Sequence, residues 1–305
     1  MSTGIFSVGT LLRLGRVSNL PTVWTNAIAG GVLAGGAQPG PIIAAALSLS
    51  LFYIGGMWLN DAFDAEIDSL ERANRPIPQG EISRSAVFAG GFALLAGGLA
   101  VTFLSGPTAG VVGLTLAGAI LLYDWLHKRT VLAPVIMGAT RFLCYALASV
   151  AAMDIFAGAA LVGALGLFAY VVGLTYAAKQ EAYNRLNRAW PLLVLALPVA
   201  ITGWEAFTHY AAIPFWIALV AVMLSALRLL FRRSPGDVPR AVVTLIAGIS
   251  LYDAALMAAA GEFVASGLAV AAFLLTVLLQ RAVVGTEHVS QRQLLEIGGL
   301  DCTFR

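Results

Sequence analysis

Asn60, Asp61, Asp64 and Asp68 all carry side-chain oxygens, and they fall within the single stretch WLNDAFDAEIDSLERANRPIPQG, residues 58–80. On a helix, Asn60, Asp64 and Asp68 follow one another at i, i+4 and i+8 and share a face, with Asp61 beside them. Like charges four apart on a helix repel, so three carboxylates stacked this way cost stability until something positive binds. A hard divalent cation such as Mg²⁺ takes oxygen ligands, keeps several waters and bridges one or two carboxylates to phosphates. Arg72 and Arg75 come next and can neutralise phosphate oxygens. Pro76 and Pro78 then fix φ and stiffen the turn, and Gly80 permits a reversal. The plainer reading of the acids alone is a solvated helix end. Acids, arginines and a rigid turn together point instead to a metal–diphosphate site.

The elements that must position this face are apolar. The 305 residues are 59% hydrophobic and only 11% charged, with a mean hydropathy of +0.87. A soluble domain has about a quarter of its residues charged. The 32 glycines suit close helix approach in a membrane. A spanning helix needs about 20 apolar residues, and ten segments qualify: 19–37, 41–60, 86–105, 108–126, 131–153, 157–178, 190–207, 212–232, 239–259 and 264–283. Backbone groups in lipid must be satisfied internally, so the spans are expected to be helices and the fold an all-α polytopic membrane bundle. Residues 1–305 read as a single domain. Residues 1–18, with Arg13 and Arg16 at their end, could form an interfacial helix, and 285–305 a polar tail.

Basic residues orient the bundle. With the N-terminus inside, every Lys and Arg except Arg141 falls at an inner end, and the outer loops carry only Asp154, Glu205 and Glu262. The aspartate stretch then lies on the cytoplasmic side. The absence of a transit peptide fits a bacterial inner membrane. Two cysteines, Cys144 and Cys302, suggest neither a disulfide nor, with three scattered histidines, a zinc site. No nucleic-acid partner is expected, and the pattern sets no oligomeric state. Arg141 lies well inside the fifth span, where an arginine costs about 2.5–3.5 kcal/mol and normally faces a polar cavity or partner. Asp253 is the other charge near mid-span, either paired, lining a cavity or held by hydrogen bonds.

The pattern of Asn60, Asp61, Asp64 and Asp68 followed by Arg75, Pro76, Pro78 and Gly80 resembles the first aspartate-rich motif of the UbiA superfamily of intramembrane prenyltransferases. The resemblance covers the first six spans. It implies a bundle of usually nine helices around a central cavity, against the ten read from hydropathy. It also implies Mg²⁺ held by two acidic motifs, a polyprenyl diphosphate donor, and ionisation of the allylic C–O bond followed by capture of the cation by an acceptor. Metal would then fall to Asn60, Asp61, Asp64 and Asp68. In RLGRVSNLPTVWTN, Arg16 and Asn19 resemble first-helix residues near the diphosphate, with an inner-face anchor as the simpler role for Arg16. In LLYDWLHKR, Tyr123 and Lys128 resemble the family's tyrosine and basic residue. The tyrosine could stabilise the cation through its ring and the lysine could touch phosphate, although an interfacial tyrosine beside inner charge is equally ordinary. Gly138 and Arg141 resemble a Gly-to-Arg pair seen in family members.

The second acidic motif is where the chain departs from the family. The expected position reads GLTYAAKQEAYNRLNR, with one acid, Glu181, and no aspartate. Gln180 and Asn184 still offer oxygens, and Lys179 could touch phosphate in place of a metal. The segment YAAKQE is reminiscent of a divergent, EboC-like branch. The leading expectation is therefore a Mg²⁺-dependent prenyltransferase acting in the lipid bilayer on a polyprenyl diphosphate and an unidentified acceptor. Asp64, Asp68, Tyr123 and Lys179 would act in catalysis. Arg16, Asn19, Arg72, Arg75, Lys128, Arg141 and Glu181 would bind substrate. The alternatives are a non-catalytic relative that binds or moves a lipid, and a transferase using another donor such as phosphoribosyl diphosphate. The inner loops after spans two and six come four spans apart, which suggests two similar four-helix halves capped by those loops.

Overall fold

The computed structural model describes residues 7–36, 38–156, 158–179 and 190–298, with 190–191 and 283–298 as backbone only. Eleven α-helices follow in order: α1 (Val8–Leu14), α2 (Pro21–Leu33), α3 (Pro39–Glu71), α4 (Arg84–Ser105), α5 (Pro107–Leu126), α6 (Ala133–Met153), α7 (Gly158–Lys179), α8 (Ala196–Thr208), α9 (Ile213–Arg232), α10 (Asp237–Ala259) and α11 (Phe263–Gly298). Short 3₁₀ turns precede α2, α8 and α9. The described residues contain no strand. Among the described residues, eight helices are long and apolar enough to cross a membrane, α3 to α7 and α9 to α11. The chain is a multi-pass membrane protein.

Each of the ten expected segments lands on a helix, but two are short. Helix α2 has 13 residues, or about 20 Å at 1.5 Å per residue, against a hydrocarbon core of about 30 Å. Pro21 sets its first position and Gly35, at φ +89°, follows its end. Positive φ is open to glycine at little cost, so the chain turns where hydropathy alone ran the span to 37. Helix α8 is short because Pro198 has no N–H and its ring would clash with the carbonyl four residues back. The expected span 190–207 accordingly divides into a 3₁₀ turn, Trp190–Leu195, and α8. Helix α11 runs on to Gly298, so much of the expected polar tail continues the last helix.

Among the described residues, packing makes two large cores and two small clusters. One gathers Val23 and Ala27 of α2, Leu49, Phe52 and Leu59 of α3, Leu116 of α5 and Leu147 of α6. The other gathers residues of α7, α9 and α10, including Tyr170, Leu219, Leu245 and Tyr252, with Ala29 of α2 and Tyr145 of α6. Helices α2 and α6 therefore form the seam between an early and a late half. They meet closely: a Cβ on Gly30 would lie 2.8 Å from the Tyr145 carbonyl oxygen. Small residues allow such approach where lipid supplies no hydrophobic drive. Helix α10 is the most enclosed, with 83% of its apolar window buried.

Candidate functional site: an acidic helix end above an apolar cavity

Helix α3 continues past its apolar stretch through Glu71, which places Asn60, Asp61, Asp64 and Asp68 on its inward face. All four are buried, Asp68 to 1% exposure. Burial of several carboxylates is costly unless they are paired and hydrogen-bonded. Their partners come from three separate parts of the chain. Arg75 Nη1 donates to Asp61 Oδ1 at 2.8 Å and to Asp68 Oδ2 at 2.7 Å. The turn after α3 delivers it, closed by Gln79 N to the Arg75 carbonyl, Gly80 N to that of Ile77 and Glu81 N to that of Pro76. Gly80 has φ +73°, a conformation that L side chains rarely adopt.

Arg16 reaches the same cluster from the other side, with Nη2 3.2 Å from Asp61 Oδ1. Its backbone is left-handed, φ 43°, a strained state for a non-glycine residue that clusters at functional sites. Burial alone would lower the Arg16 pKa, but the Asp61 carboxylate, together with Tyr53 and Tyr123, outweighs it, so the net shift is upward. Helix α1 fixes this corner. Leu14 is fully buried against Ala62, Ile82 and Val87, and Arg13 pairs with Glu81. Val8 and Leu12 stay exposed, as an interfacial helix requires.

The loop after α5 supplies the third set. Lys128 Nζ is 3.3 Å from Asp64 Oδ2 and 3.8 Å from Asp68 Oδ1. His127 Nε2 is 3.1 Å from Asp64 Oδ2, and its ring stacks on Tyr123 at 5.0 Å. Lys179, at the end of α7, donates to the Thr130 carbonyl at 2.9 Å. It thus ties α7 to the loop that carries His127 and Lys128, and no ion pair joins it to the acids among the described residues.

Below the acids, a cavity of about 70 Å³ opens between α2, α3, α5 and α6. Its wall is largely apolar, including Val23, Phe52, Leu116 and Ile120, with Tyr53, Tyr123, Asp124 and Arg141 as its larger polar groups. The Arg141 guanidinium lies 5.7 Å from the Tyr53 ring centroid. Nη1 donates to Asn26 Oδ1 at 2.7 Å, Asn26 Nδ2 donates to Asp253 Oδ2 at 2.8 Å, and Tyr145 Oη donates to Asp253 Oδ1 at 2.5 Å. Arg141 thus has both the partner and the cavity that its depth demanded, and Asp253 is the paired acid behind it. Asn60 Nδ2 donates to Asp124 Oδ1 at 3.1 Å, which joins the acidic end to the cavity wall.

The sites expected from sequence divide clearly. Asn60, Asp61, Asp64, Asp68, Arg16, Arg75 and Lys128 converge. Tyr123 and Arg141 line the cavity beneath. Asn19 instead accepts from Gln280 Nε2 at 2.9 Å and tethers α11. Arg72 is exposed at the end of α3 and forms no ion pair among the described residues. Glu181, Gln180 and Asn184 lie outside the described residues. Sequence reasoning missed His127, Asp124 and Asn26. The signal for Asp124 was an acid inside an apolar span, which is a functional flag by itself.

Mg²⁺ fits this donor set in one mode. Among the described residues no three acids form a metal cage by themselves. Asp68 Oδ1 is nevertheless buried without a hydrogen-bond partner. A cation that uses one or two carboxylates and takes the rest of its shell from phosphate and water needs no cage. Asn60 is a weaker ligand than its spacing implied, because its amide nitrogen is engaged by Asp124 and only its carbonyl oxygen remains.

The family comparison agrees with this architecture. A digeranylgeranylglyceryl phosphate synthase from Methanoculleus marisnigri is 32% identical over 124 residues, 41% of this chain and 44% of the relative. Another, from Methanoregula boonei, is 45% identical over 67 residues, 22% of this chain and 23% of the relative. The chain spans less than half the length of these curated relatives. A solved digeranylgeranylglyceryl phosphate synthase superposes with a TM-score of 0.60 at 17% identity, covering 84% of this chain and 98% of that one. A UbiA homologue from Archaeoglobus fulgidus gives 0.56 at 15%, covering 81% and 99%. Both show the fold. The model of the UbiA prenyltransferase family matches residues 22–231, more than half of the chain, and the protein belongs to that family.

Proposed function

We propose that the protein transfers a prenyl group from a prenyl diphosphate to an acceptor within the membrane, with Mg²⁺. One observation carries this: buried acids and three cationic side chains converge at the end of α3, directly joined to an apolar cavity through Asn60 and Asp124. The donor has the same two parts, a multiply charged head and an apolar tail. The family name and the prenyl-lipid relatives support the reading, as does a UbiA homologue from Archaeoglobus fulgidus bound to geranyl diphosphate and Mg²⁺.

In this reading Asp64 and Asp68 hold the cation, with Asp61 and Asn60 beside them. When bound, Mg²⁺ neutralises charge on the leaving diphosphate. Arg16 and Lys128 now pair with Asp61 and Asp64, and they turn to phosphate oxygens when the donor arrives. Such stabilisation of developing charge is the usual large term in catalysis. The rings of Tyr53 and Tyr123 face the cavity and shield the allylic cation. The apolar wall keeps water from it, and it suits a prenyl chain better than a ribosyl group. Lys179 steadies the His127–Lys128 loop through Thr130. The inner-side excess of basic residues supports placing the α3 end at the cytoplasmic face.

The test is release of inorganic diphosphate by purified protein with Mg²⁺, from donors of one to four isoprene units, across a broad acceptor panel. No release from any donor overturns the reading. The rival, a protein that binds or moves a lipid, is motivated by Lys179 standing where the family carries acid. It requires movement of a prenyl lipid without C–O cleavage.

A further inference from the structure

Asp124 presents a polar atom that the proposed function does not use. It sits in the last turn of α5 with 4% of its surface exposed and forms part of the cavity wall. One carboxyl oxygen, Oδ1, accepts from Asn60. The other, Oδ2, is buried and has no hydrogen-bond partner among the described residues. An unsatisfied buried oxygen costs the full desolvation of the group, so its retention in an apolar wall calls for a ligand.

The neighbouring polar groups of the cavity do not fill this role. Arg141 is directed to Asn26 and lies against the Tyr53 ring. Tyr53 Oη donates to the Arg16 carbonyl at 3.4 Å. Thr140 Oγ1 donates to the Met137 carbonyl, and Cys144 Sγ to that of Thr140. Apart from Tyr123, the remaining lining residues are aliphatic, aromatic, methionine or glycine. A ligand that satisfies Asp124 therefore brings a hydrogen-bonding group on a largely apolar body. The diphosphate does not fit this description, because the cations that suit it lie at the end of α3.

We propose that Asp124 Oδ2 receives the hydroxyl group of the prenyl acceptor, making this an acceptor site selective for apolar molecules that carry a single hydroxyl. The inference rests on the transferase reading and names the acceptor class for it. Asn60 acts here as a positioning residue, since its amide holds the Asp124 carboxyl with Oδ2 free. It also couples the two halves of the site, because α3 bears both Asn60 and the acids.

The experiment uses the purified full chain and two probes, 4-propylphenol and propylbenzene, which differ by one hydroxyl. Binding is followed by calorimetry with and without Mg²⁺ and inorganic diphosphate. The phenol is expected to bind about tenfold more tightly, the value of one well-formed hydrogen bond. Asp124→Leu should abolish that preference while leaving propylbenzene binding within about twofold of wild type, since the apolar wall is unaltered. Should Asp124→Leu fail to fold because Asn60 loses its partner, the double variant Asn60→Leu with Asp124→Leu removes both polar groups together and is expected to fold. Equal binding of the two probes to wild type, no binding of either, or a preference that survives in the Leu variants overturns the inference. Mg²⁺-dependent diphosphate binding, measured on wild type, reports on the transferase reading separately. Its absence with the phenol preference intact would remove the donor half alone.

Discussion

Asp68 at the end of α3 and Asp253 in α10 are both aspartates with almost no exposed surface, yet their surroundings differ in kind. Asp253 has two short hydrogen bonds, from Asn26 and Tyr145, and Arg141 stands behind Asn26. No fully buried side-chain atom of that network is left without a partner among the described residues. Asp68 is held by Arg75 on one oxygen and leaves the other unpartnered, with Lys128 at 3.8 Å. Its cations arrive on a turn and a loop, whereas those around Asp253 come from packed helices. A saturated network on rigid elements is a structural device. A half-saturated one suits an exchangeable charged ligand.

The largest effect should come from breaking the saturated side. Replacing Asp253 with Ala leaves Asn26 and Tyr145 without an acceptor and Arg141 without its balancing charge. Removing one partner of a buried charged network costs about 3–5 kcal/mol, so the variant should unfold at a much lower temperature in detergent. Adding Arg141→Met to Asp253→Ala should recover part of the loss. No recovery would show that Arg141 and Asp253 are energetically independent.

On the other side, Asp68→Asn should leave the thermal midpoint near wild type and lower diphosphate release about 10²–10³-fold, the order found when one charge-stabilising group is removed. A rate close to wild type would move the metal away from α3. Asp64→Asn should behave alike, and its loss should be partly offset at high Mg²⁺ if the carboxylate holds metal rather than His127 and Lys128.

The acidic half of this comparison was legible in the sequence, because the i, i+4, i+8 spacing is a local property and Arg75 follows Asp68 by only seven residues. The saturated half was only half legible. Arg141 and Asp253 stood out as charges inside apolar spans, but their connection runs through Asn26, which is 227 residues from Asp253. No helical period encodes a pairing of that kind. His127 lies 63 residues from Asp64 and was hidden for the same reason. The ten apolar segments were visible as hydropathy. The shortness of α2 and α8 was not, because it follows from Pro21, Gly35 and Pro198 acting on backbone geometry. The ladder of cations around Asp61, Asp64 and Asp68 also required the turn at Gly80, and a motif names that turn without saying where its arginine points.

Arg75 sharpens the contrast between a fixed partner and a replaceable one. Its single nitrogen bridges Asp61 and Asp68, the position that a bound cation would neutralise. Arg75→Gln should lower the thermal midpoint without Mg²⁺ by an amount equivalent to about 1–3 kcal/mol, the cost of a lost charged hydrogen bond. With Mg²⁺ and inorganic diphosphate the variant should regain more stability than wild type gains. An equal Mg²⁺ response in both proteins would mean that Arg75 and the metal do not share the site.

The smallest effect separates the two arginines of the motif. Arg72 and Arg75 looked equivalent in sequence as phosphate ligands, three residues apart. The turn sends them in different directions: Arg75 folds back over the acids, while Arg72 caps α3 through its backbone N–H to the Asp68 carbonyl and leaves its side chain exposed. That backbone bond survives substitution. Arg72→Ala should therefore change stability by less than about 0.5 kcal/mol, as surface substitutions usually do, and diphosphate release by less than about twofold on the same scale. A tenfold loss of release, with the midpoint unchanged, would show that the α3 end closes further around its ligand and brings Arg72 onto phosphate. It would also shift the boundary between the two regions outward by one helical turn.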